Sequence, residues 1–289
     1  MEQLAEVQGS ACRRETGRLG NRIPSNRPRR LVLLAPSGRP TTTSFHNVQL
    51  APDLHHDMLA SMQRLRGAIY LEDGAIRPDQ LIDGRHVLDI DAGSWHLLVV
   101  DNENRVNGCM RYREYSNKVA FADLGVSSSA LADRREWNYK LKKAVESEIA
   151  LSRSLDLPFM EIGGWALHEE VRGTTEALRM ALASYSLVRL LGGGVAISTV
   201  TRRNGSASIL RRLGGRPLQH EQTEVPAYYE PHYDCEMEVL KFYSWAPNQR
   251  YDVWIEELKR EIRSIPVLTV ADPSERFYAA PQIRQTSAA

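Results

Sequence analysis

Between residues 53 and 72 the apolar side chains recur at helical spacing: Leu54, Met58, Met62 and Leu65 fall on one stripe, and Asp53 after Pro52 supplies a start. A turn-rich stretch follows over 73–94, marked by Asp73-Gly74, Arg77-Pro78, Asp83-Gly84 and Ala92-Gly93. The period then shortens. Trp95–Asp101 (WHLLVVD) predicts a buried strand, Asn102-Glu103-Asn104 a turn, and Arg105–Glu114 the return arm of a hairpin. Helical spacing returns over 137–156, where Leu141, Val145, Ile149 and Leu155 share a face and Pro158 follows the end.

Residues 160–215 carry the most information. A strand over 159–167 runs into an Arg172-Gly173 turn and then a helix whose inward stripe is Leu178, Ala181, Leu182, Tyr185 and Val188. Gly192–Gly194 stops that helix, Val195–Val200 predicts a buried strand, and Ser206–Leu213 a short helix after the capping residue Asn204. A turn that feeds a strand straight into a helix leaves the first helical N–H groups unpaired at the positive end of the helix dipole, which makes an anion site. Further on, EMEVLKFY (236–243) alternates as a late strand. Residues 248–263 predict a peripheral amphipathic helix with Tyr251, Trp254, Ile255, Leu258 and Ile262 on one side.

The order of elements is mixed α/β (α+β). It implies one domain over residues 46–245, with a disordered basic arm at 1–45 and a C-terminal amphipathic helix and tail at 246–289. Within the arm, Leu31–Leu34 is apolar enough to add a short edge strand.

Composition changes this picture little. With 289 residues and 42% apolar content the chain can bury a sizeable core, and 37 basic against 36 acidic residues give no global argument for nucleic acid. The charge is uneven, however: residues 13–39 hold Arg13, Arg14, Arg18, Arg22, Arg27, Arg29, Arg30 and Arg39 against a lone Glu15. Such an arm reads as a solvated tail or as a docking segment for an acidic partner; without interleaved aromatics it does not read as a base-stacking surface. Three cysteines without CxxC spacing (Cys12, Cys109, Cys235) fit a reducing compartment, and no apolar run approaches the roughly 20 residues a bilayer requires. These features predict a cytoplasmic protein without stable membrane insertion. His55-His56 reads as a surface pair rather than as metal ligands, because adjacent helical positions point apart.

With Arg172-Gly173-Thr174-Thr175-Glu176-Ala177 at the start of the central helix, the chain resembles the GNAT superfamily of acyl-CoA-dependent N-acyltransferases over residues 54–242. That family carries Arg/Gln-x-x-Gly-x-Gly/Ala at this place; here the arginine and final alanine match and Thr175 stands where the family has glycine. Within the superfamily the chain is most similar to the long-chain branch, the autoinducer synthases and N-acyl amino acid synthases. Gly108-Cys109-Met110-Arg111 matches its Gly-x-x-Arg strand, and Glu161 its central acidic residue. Arg66–Tyr70 lies near its Arg-x-x-aromatic element without matching the register. Gly164 where the autoinducer synthases carry arginine, and Asp89 and Asp91 spaced by two rather than three, disfavour homoserine-lactone chemistry. Val225–Pro231 points to the amino acid side.

The resemblance implies a splayed central sheet flanked by helices, and transfer of an acyl group, long-chain in this branch, from acyl-CoA or acyl carrier protein to a primary amine such as an amino acid. No tightly bound cofactor is implied; the phosphopantetheine thioester is a co-substrate. Its diphosphate would lie on Arg172, Gly173, Thr174, Thr175, Glu176 and Ala177, its arm on Gly163, Trp165, Ala166 and Leu167, with Asn204 closing the other side. Glu161 reads as general base or as a strand residue pairing with Arg111 or Arg113; with Arg111 it would clamp a zwitterionic amino acid, and Tyr70 would line the acceptor site. Among Tyr228, Tyr229 and Tyr233, Tyr229 is taken as the acid that protonates the leaving thiolate. The alternatives are a short-chain acetyltransferase and a non-catalytic thioester- or partner-binding protein.

Overall fold

The computed structural model describes residues 28–39 and 41–271. In chain order its elements are β1 (Arg29–Leu34), β2 (Val48–Leu50), α1 (Pro52–Glu72), β3 (Trp95–Asp101), β4 (Val106–Tyr115), α2 (Ala130–Asp133), α3 (Asn138–Ser154), β5 (Phe159–Leu167) and α4 (Thr175–Leu190). There follow β6 (Val195–Thr201), α5 (Ser206–Leu213), β7 (Arg216–Pro217), β8 (Gln219–His220), β9 (Thr223–Glu224), β10 (Tyr228–Glu230), β11 (Cys235–Tyr243), α6 (Asp252–Ile262) and β12 (Val267–Thr269). Local signals account for many of the boundaries. Pro52 opens α1, where its missing N–H costs nothing, and the Thr174 hydroxyl caps α4 by accepting from the Glu176 amide at 3.2 Å. Gly214, at φ 125°, ends α5 in a conformation closed to other residues.

Ten strands form one mixed sheet in the order β10-β11-β6-β5-β4-β3-β1-β12-β2, with β7 on the far side of part of β11. The β1–β3–β4–β5 block is antiparallel and paired along its length apart from irregularities at Val99/Val100 and Cys109/Arg111. β5 and β6 run parallel and pair only from Phe159 to Glu161 against Val195 to Ile197. Beyond Glu161 the two strands diverge, so the sheet opens as a V at Gly163. A bulge in β4–β5 between Cys109 and Arg111 sets the opening, and Gly164 sits there at φ +64°, with room for an added Cβ only 3.3 Å from the Arg111 Cβ. This split, mixed sheet flanked by helices is the architecture expected from the resemblance.

Helices cover both faces. α4, α5 and α6 lie on one, over a core that includes Leu31, Leu33, Leu97, Met110, Leu182 and Leu240. On the other face α1 covers β1, β3 and β4, and α3 covers β6, β10 and β11.

Several expectations change. β1 is no edge strand in a tail: it lies between β3 and β12, and Leu31 to Leu34 are at most 1% exposed. The domain therefore begins before residue 46, and the rest of the arm, 1–27, lies outside the described residues. Nor does the domain end at 245. α6 packs on α4 through Ile255, Leu258 and Ile262, while Trp254 turns outward at 51% exposure, and β12 joins the sheet between β1 and β2. Both terminal segments close on each other across the sheet, a long-range pairing that local periodicity does not report. His55 also departs from a surface pair: it is buried, and its Nε2 lies 2.9 Å from the Ala35 carbonyl.

Candidate active site

The V between β5 and β6 opens into a cavity of about 560 Å³ that passes through the sheet. Its two halves differ in chemistry. On the α4 side the lining is apolar or small: Met110, Trp165, Ala181, Val188, Ala196 and Phe242 among others. On the α1 side it is charged and aromatic, with Tyr70, Arg111, Glu161, Glu230 and Tyr233. Gly163 and Gly164 form the throat between the halves, where no side chain obstructs the backbone edge that β5 no longer shares with β6.

A buried ionic cluster under α1 holds the charged half. Arg66 (0% exposed) binds both oxygens of Asp91, at 3.0 Å and 2.6 Å, and also donates to the His86 carbonyl. Gln63 and the Leu88 amide add donors to Asp91 at 3.1 Å each, and the His96 Nε2 contacts the Asp91 carbonyl at 2.8 Å. Burial alone would raise the Asp91 carboxyl, but the Arg66 hydrogen bonds and charge outweigh it and hold the group at about 2. Burial lowers both His86 and His96 to about 4, with the Arg66 charge reinforcing it at His86. Arg111 stands at the edge of this cluster, its Nη1 3.8 Å from Asp91. Its Nε and Nη1 are buried with no hydrogen-bond acceptor among the described residues. A half-neutralised guanidinium with idle donors beside a cavity is a ready carboxylate ligand. Arg66 and Asp91 were not among the site residues the sequence suggested; the signal available was the buried position of Arg66 on the inner stripe of α1.

Glu161 and Arg113 are directly paired across β4–β5, yet their side chains do not meet. The Glu161 carboxylate accepts from the Tyr115 hydroxyl (2.9 Å) and from the Gly125 (2.9 Å) and Val126 (3.1 Å) amides. It thereby pins the loop that roofs the charged half of the cavity. Arg113 instead donates to the Gly93 carbonyl at 2.9 Å.

β10 sorts the tyrosines by strand alternation. Tyr228 and Glu230 point inward, buried at 2% and 4% exposure, while Tyr229 is 48% exposed and donates to Asp234 outside the cavity. The assignment of Tyr229 as thiolate acid is therefore corrected: the inward hydroxyls are those of Tyr228 and Tyr233. Tyr233 meets Tyr70 edge-on, ring centres 6.2 Å apart, across the cavity mouth. Cys109 is buried, its thiol 3.3 Å from the Gly164 carbonyl and pushed up to about 11 by burial, which leaves it unreactive as a nucleophile.

At the α4 end, Gly173 takes φ +71° and Thr174 caps the helix, with the first-turn amides of Thr175 to Ala177 at its N-terminus. Ala177 is buried. Arg172 does not point at that end: its Nε donates to the Leu167 carbonyl at 2.9 Å and its Nη2 lies 3.8 Å from Asp73 and 3.9 Å from Glu72. Arg179 is drawn away by Glu176 (3.1 Å) and Glu261, and Arg202 by Glu236. Arg203 spans the open end of the V, donating to the carbonyls of Asp73 and Asp234. Ala166 (2% exposed) faces α1, and Leu167 packs on the α4 side without lining the cavity. Asn204 lies in the turn before α5, and its side chain is outside the described residues. Among the described residues there is no cluster of His, Cys, Asp and Glu suited to a metal, and no helix is long and apolar enough to cross a membrane.

No protein-family model matches this chain, and no curated protein matches it. Solved structures do, at low identity. A CoA-dependent acyl-homoserine lactone synthase, BjaI, solved with SAM and isopentyl-CoA, is 15% identical over 89% of this chain and 96% of its own, with a TM-score of 0.48. FeeM, an N-acyl amino acid synthase from uncultured soil microbes, is 12% identical over 75% of this chain and 93% of its own, at 0.43. Arylalkylamine N-acetyltransferase 2 from Aedes aegypti is 14% identical over 68% and 97%, at 0.41. At such distances the chemistry has to come from the cavity itself.

Proposed function

We propose that this protein is an N-acyltransferase that moves a long acyl chain from a phosphopantetheine thioester, acyl-CoA or acyl carrier protein, to the amine of an amino acid. One observation supports this above the others: the cavity passes through the sheet at an unpaired strand edge, apolar on one side and charged on the other. A thioester laid along that edge has its acyl chain on the α4 side, its carbonyl at Gly163–Trp165 and its acceptor on the α1 side. Backbone N–H groups of the free edge polarise the carbonyl as it becomes oxyanionic, an effect worth about 3 kcal/mol per donor, and holding both reactants in one cavity contributes several more. The Arg111 guanidinium takes the acceptor carboxylate. The first-turn amides of α4, around Gly173 to Ala177, take the donor's diphosphate or phosphate. Glu161 serves from the throat through water, since three donors already fill most of its acceptor capacity. Small residues along the opening, Gly163, Gly164, Ala181, Ser184, Gly194 and Ala196, favour a long chain over acetyl. A cytoplasmic setting belongs to the same proposal.

The test is amine-dependent thiol release from a series of acyl-CoA thioesters of two to sixteen carbons with each common amino acid, with products identified by mass spectrometry. Turnover confined to acetyl-CoA would replace the long-chain reading with the short-chain one. Binding of acyl-CoA without turnover on any amine would leave a thioester-binding protein.

A further inference from the structure

Five carboxylates are buried among the described residues: Asp91, Asp101, Glu148, Glu230 and Glu238. Four have a cation against them. Asp91 has Arg66 at 2.6 Å, Asp101 has Arg105 at 2.9 Å, Glu148 has Lys241 at 2.7 Å, and Glu238 has Arg211. Glu230, 4% exposed, has none. Its Oε2 accepts from the Ala130 amide at 2.9 Å, and its Oε1 has only the His232 amide at 3.4 Å. It also opens into the cavity, in the same charged half as Arg111. A carboxylate out of water without a cation is costly unless a ligand supplies one.

Across that half of the cavity, Arg111 leans the other way: its one carboxylate neighbour, Asp91 at 3.8 Å, is already bound by Arg66, and its Nε and Nη1 have no hydrogen-bond acceptor among the described residues. The two cannot cancel each other because they stand on opposite sides of the V, Arg111 on β4 and Glu230 on β10. Tyr233 lies within the field of both: burial raises its hydroxyl, the Arg111 charge lowers it and the Glu230 charge raises it. A cavity with a fixed positive group on one wall and a fixed negative group on the other matches a zwitterion.

We propose that Glu230 is a catalytic residue of this site, the group that receives the acceptor's ammonium and takes its first proton. This rests on the amino acid N-acyltransferase reading above. The carboxylate pairs with R–NH3+ and removes one proton, leaving R–NH2 with its lone pair free and Glu230 protonated. The nitrogen attacks the thioester carbonyl, a C–N bond forms, and the C–S bond breaks as the tetrahedral centre collapses. The nitrogen's second proton leaves with the thiolate as the free thiol, and Glu230 returns its proton to solvent. Glu161, with three donors on its carboxylate, keeps the roof loop in place and has one acceptor site left for a water.

The measurement is steady-state kinetics of the full chain and E230Q, whose side-chain oxygen still accepts from the Ala130 amide. With the amino acid that the wild type acylates fastest, E230Q should raise the acceptor KM and lower kcat, each at least about tenfold, with the acyl-CoA KM within twofold of wild type. Acceptor KM and kcat within twofold of wild type in E230Q would overturn the role of Glu230 while leaving the acyltransferase reading intact. A wild type with no amine-dependent thiol release from either acyl-CoA or acylated carrier protein would overturn both. Should E230Q fail to fold, calorimetry on the wild type decides. The same amino acid should bind at least about tenfold more tightly than its analogue with hydrogen in place of the amine, and equal binding would overturn the proposal.

Discussion

The two halves of the cavity are walled by the same strands and yet are built on opposite principles. On the α4 side, shape does the selecting: Ala181, Val188 and Phe242 present no charge, and a lost or added methyl group there changes volume by small steps. On the α1 side a network of Arg66, Asp91, Gln63, His86 and His96 is buried almost completely, and each member depends on the others for its missing solvent. Mutations in the first half should act gradually and on chain length. Those in the second should act abruptly, on stability and on the acceptor.

The largest effect expected is at Asp91. D91A leaves Arg66 charged and unpaired with no exposure to water, which should cost about 3–5 kcal/mol in urea denaturation. Replacing both partners together with apolar residues should cost less than D91A alone; a larger loss in the double variant would mean that the ion pair itself, not the stranded charge, carries the stability.

Arg111 comes next. R111A should raise the KM for amino acids about 100-fold, or ~2.7 kcal/mol, and abolish the preference for a free acid over its methyl ester, with the acyl-CoA KM unchanged. An unchanged preference would remove the carboxylate clamp.

The polar half also predicts acid lability. His86 and His96 are held near 4 in the folded chain against about 6.5 unfolded, so below 6.5 the unfolded state takes up protons first. Their contribution is complete above pH 6.5 and is lost as pH falls toward 4. Asp91, held at about 2, adds a second loss between about pH 4 and 2. Unfolding free energy should drop by several kcal/mol, at most about 6, from pH 6.5 to 4, and H86N should flatten that slope.

In the apolar half, A181F should cost about 1–3 kcal/mol of stability at most and move donor preference to shorter acyl chains without altering acceptor KM. The smallest effect is expected at Tyr229, outside the cavity, where Y229F should leave kcat within twofold and stability within about 0.5 kcal/mol. A large loss there would mean that the outward tyrosine takes part after all.

Much of the fold was legible along the chain. The 3.6-residue stripes of α1, α3 and α4 and the continuous apolar runs of β3 and β6 report burial directly, and the start of β5 and the end of α5 follow from Pro158 and Gly214, whereas the residue capping the start of α5 is Gly205 and not Asn204. The candidates Glu161, Arg111 and Tyr70 came from the family resemblance rather than from hydrophobic pattern, and all three line one cavity. Tyr229 was misplaced because a three-residue strand such as β10 is too short for its alternation to stand out in YYEP. Had it stood out, Tyr228 and Glu230 would have been read as the inward pair.

Pairing between distant segments belongs to the tertiary structure alone. That Leu31–Leu34 lies inside the sheet was settled by β12, more than 200 residues away, and no local property of LVLL distinguishes an interior strand from an edge. The same holds for charge. Composition gives 37 basic and 36 acidic residues, but which of them cancel depends on which walls the chain brings together. Arg66 finds Asp91; Glu230 finds no cation among the described residues, because β10 and β4 stand on opposite sides of an opening made where β5 and β6 part.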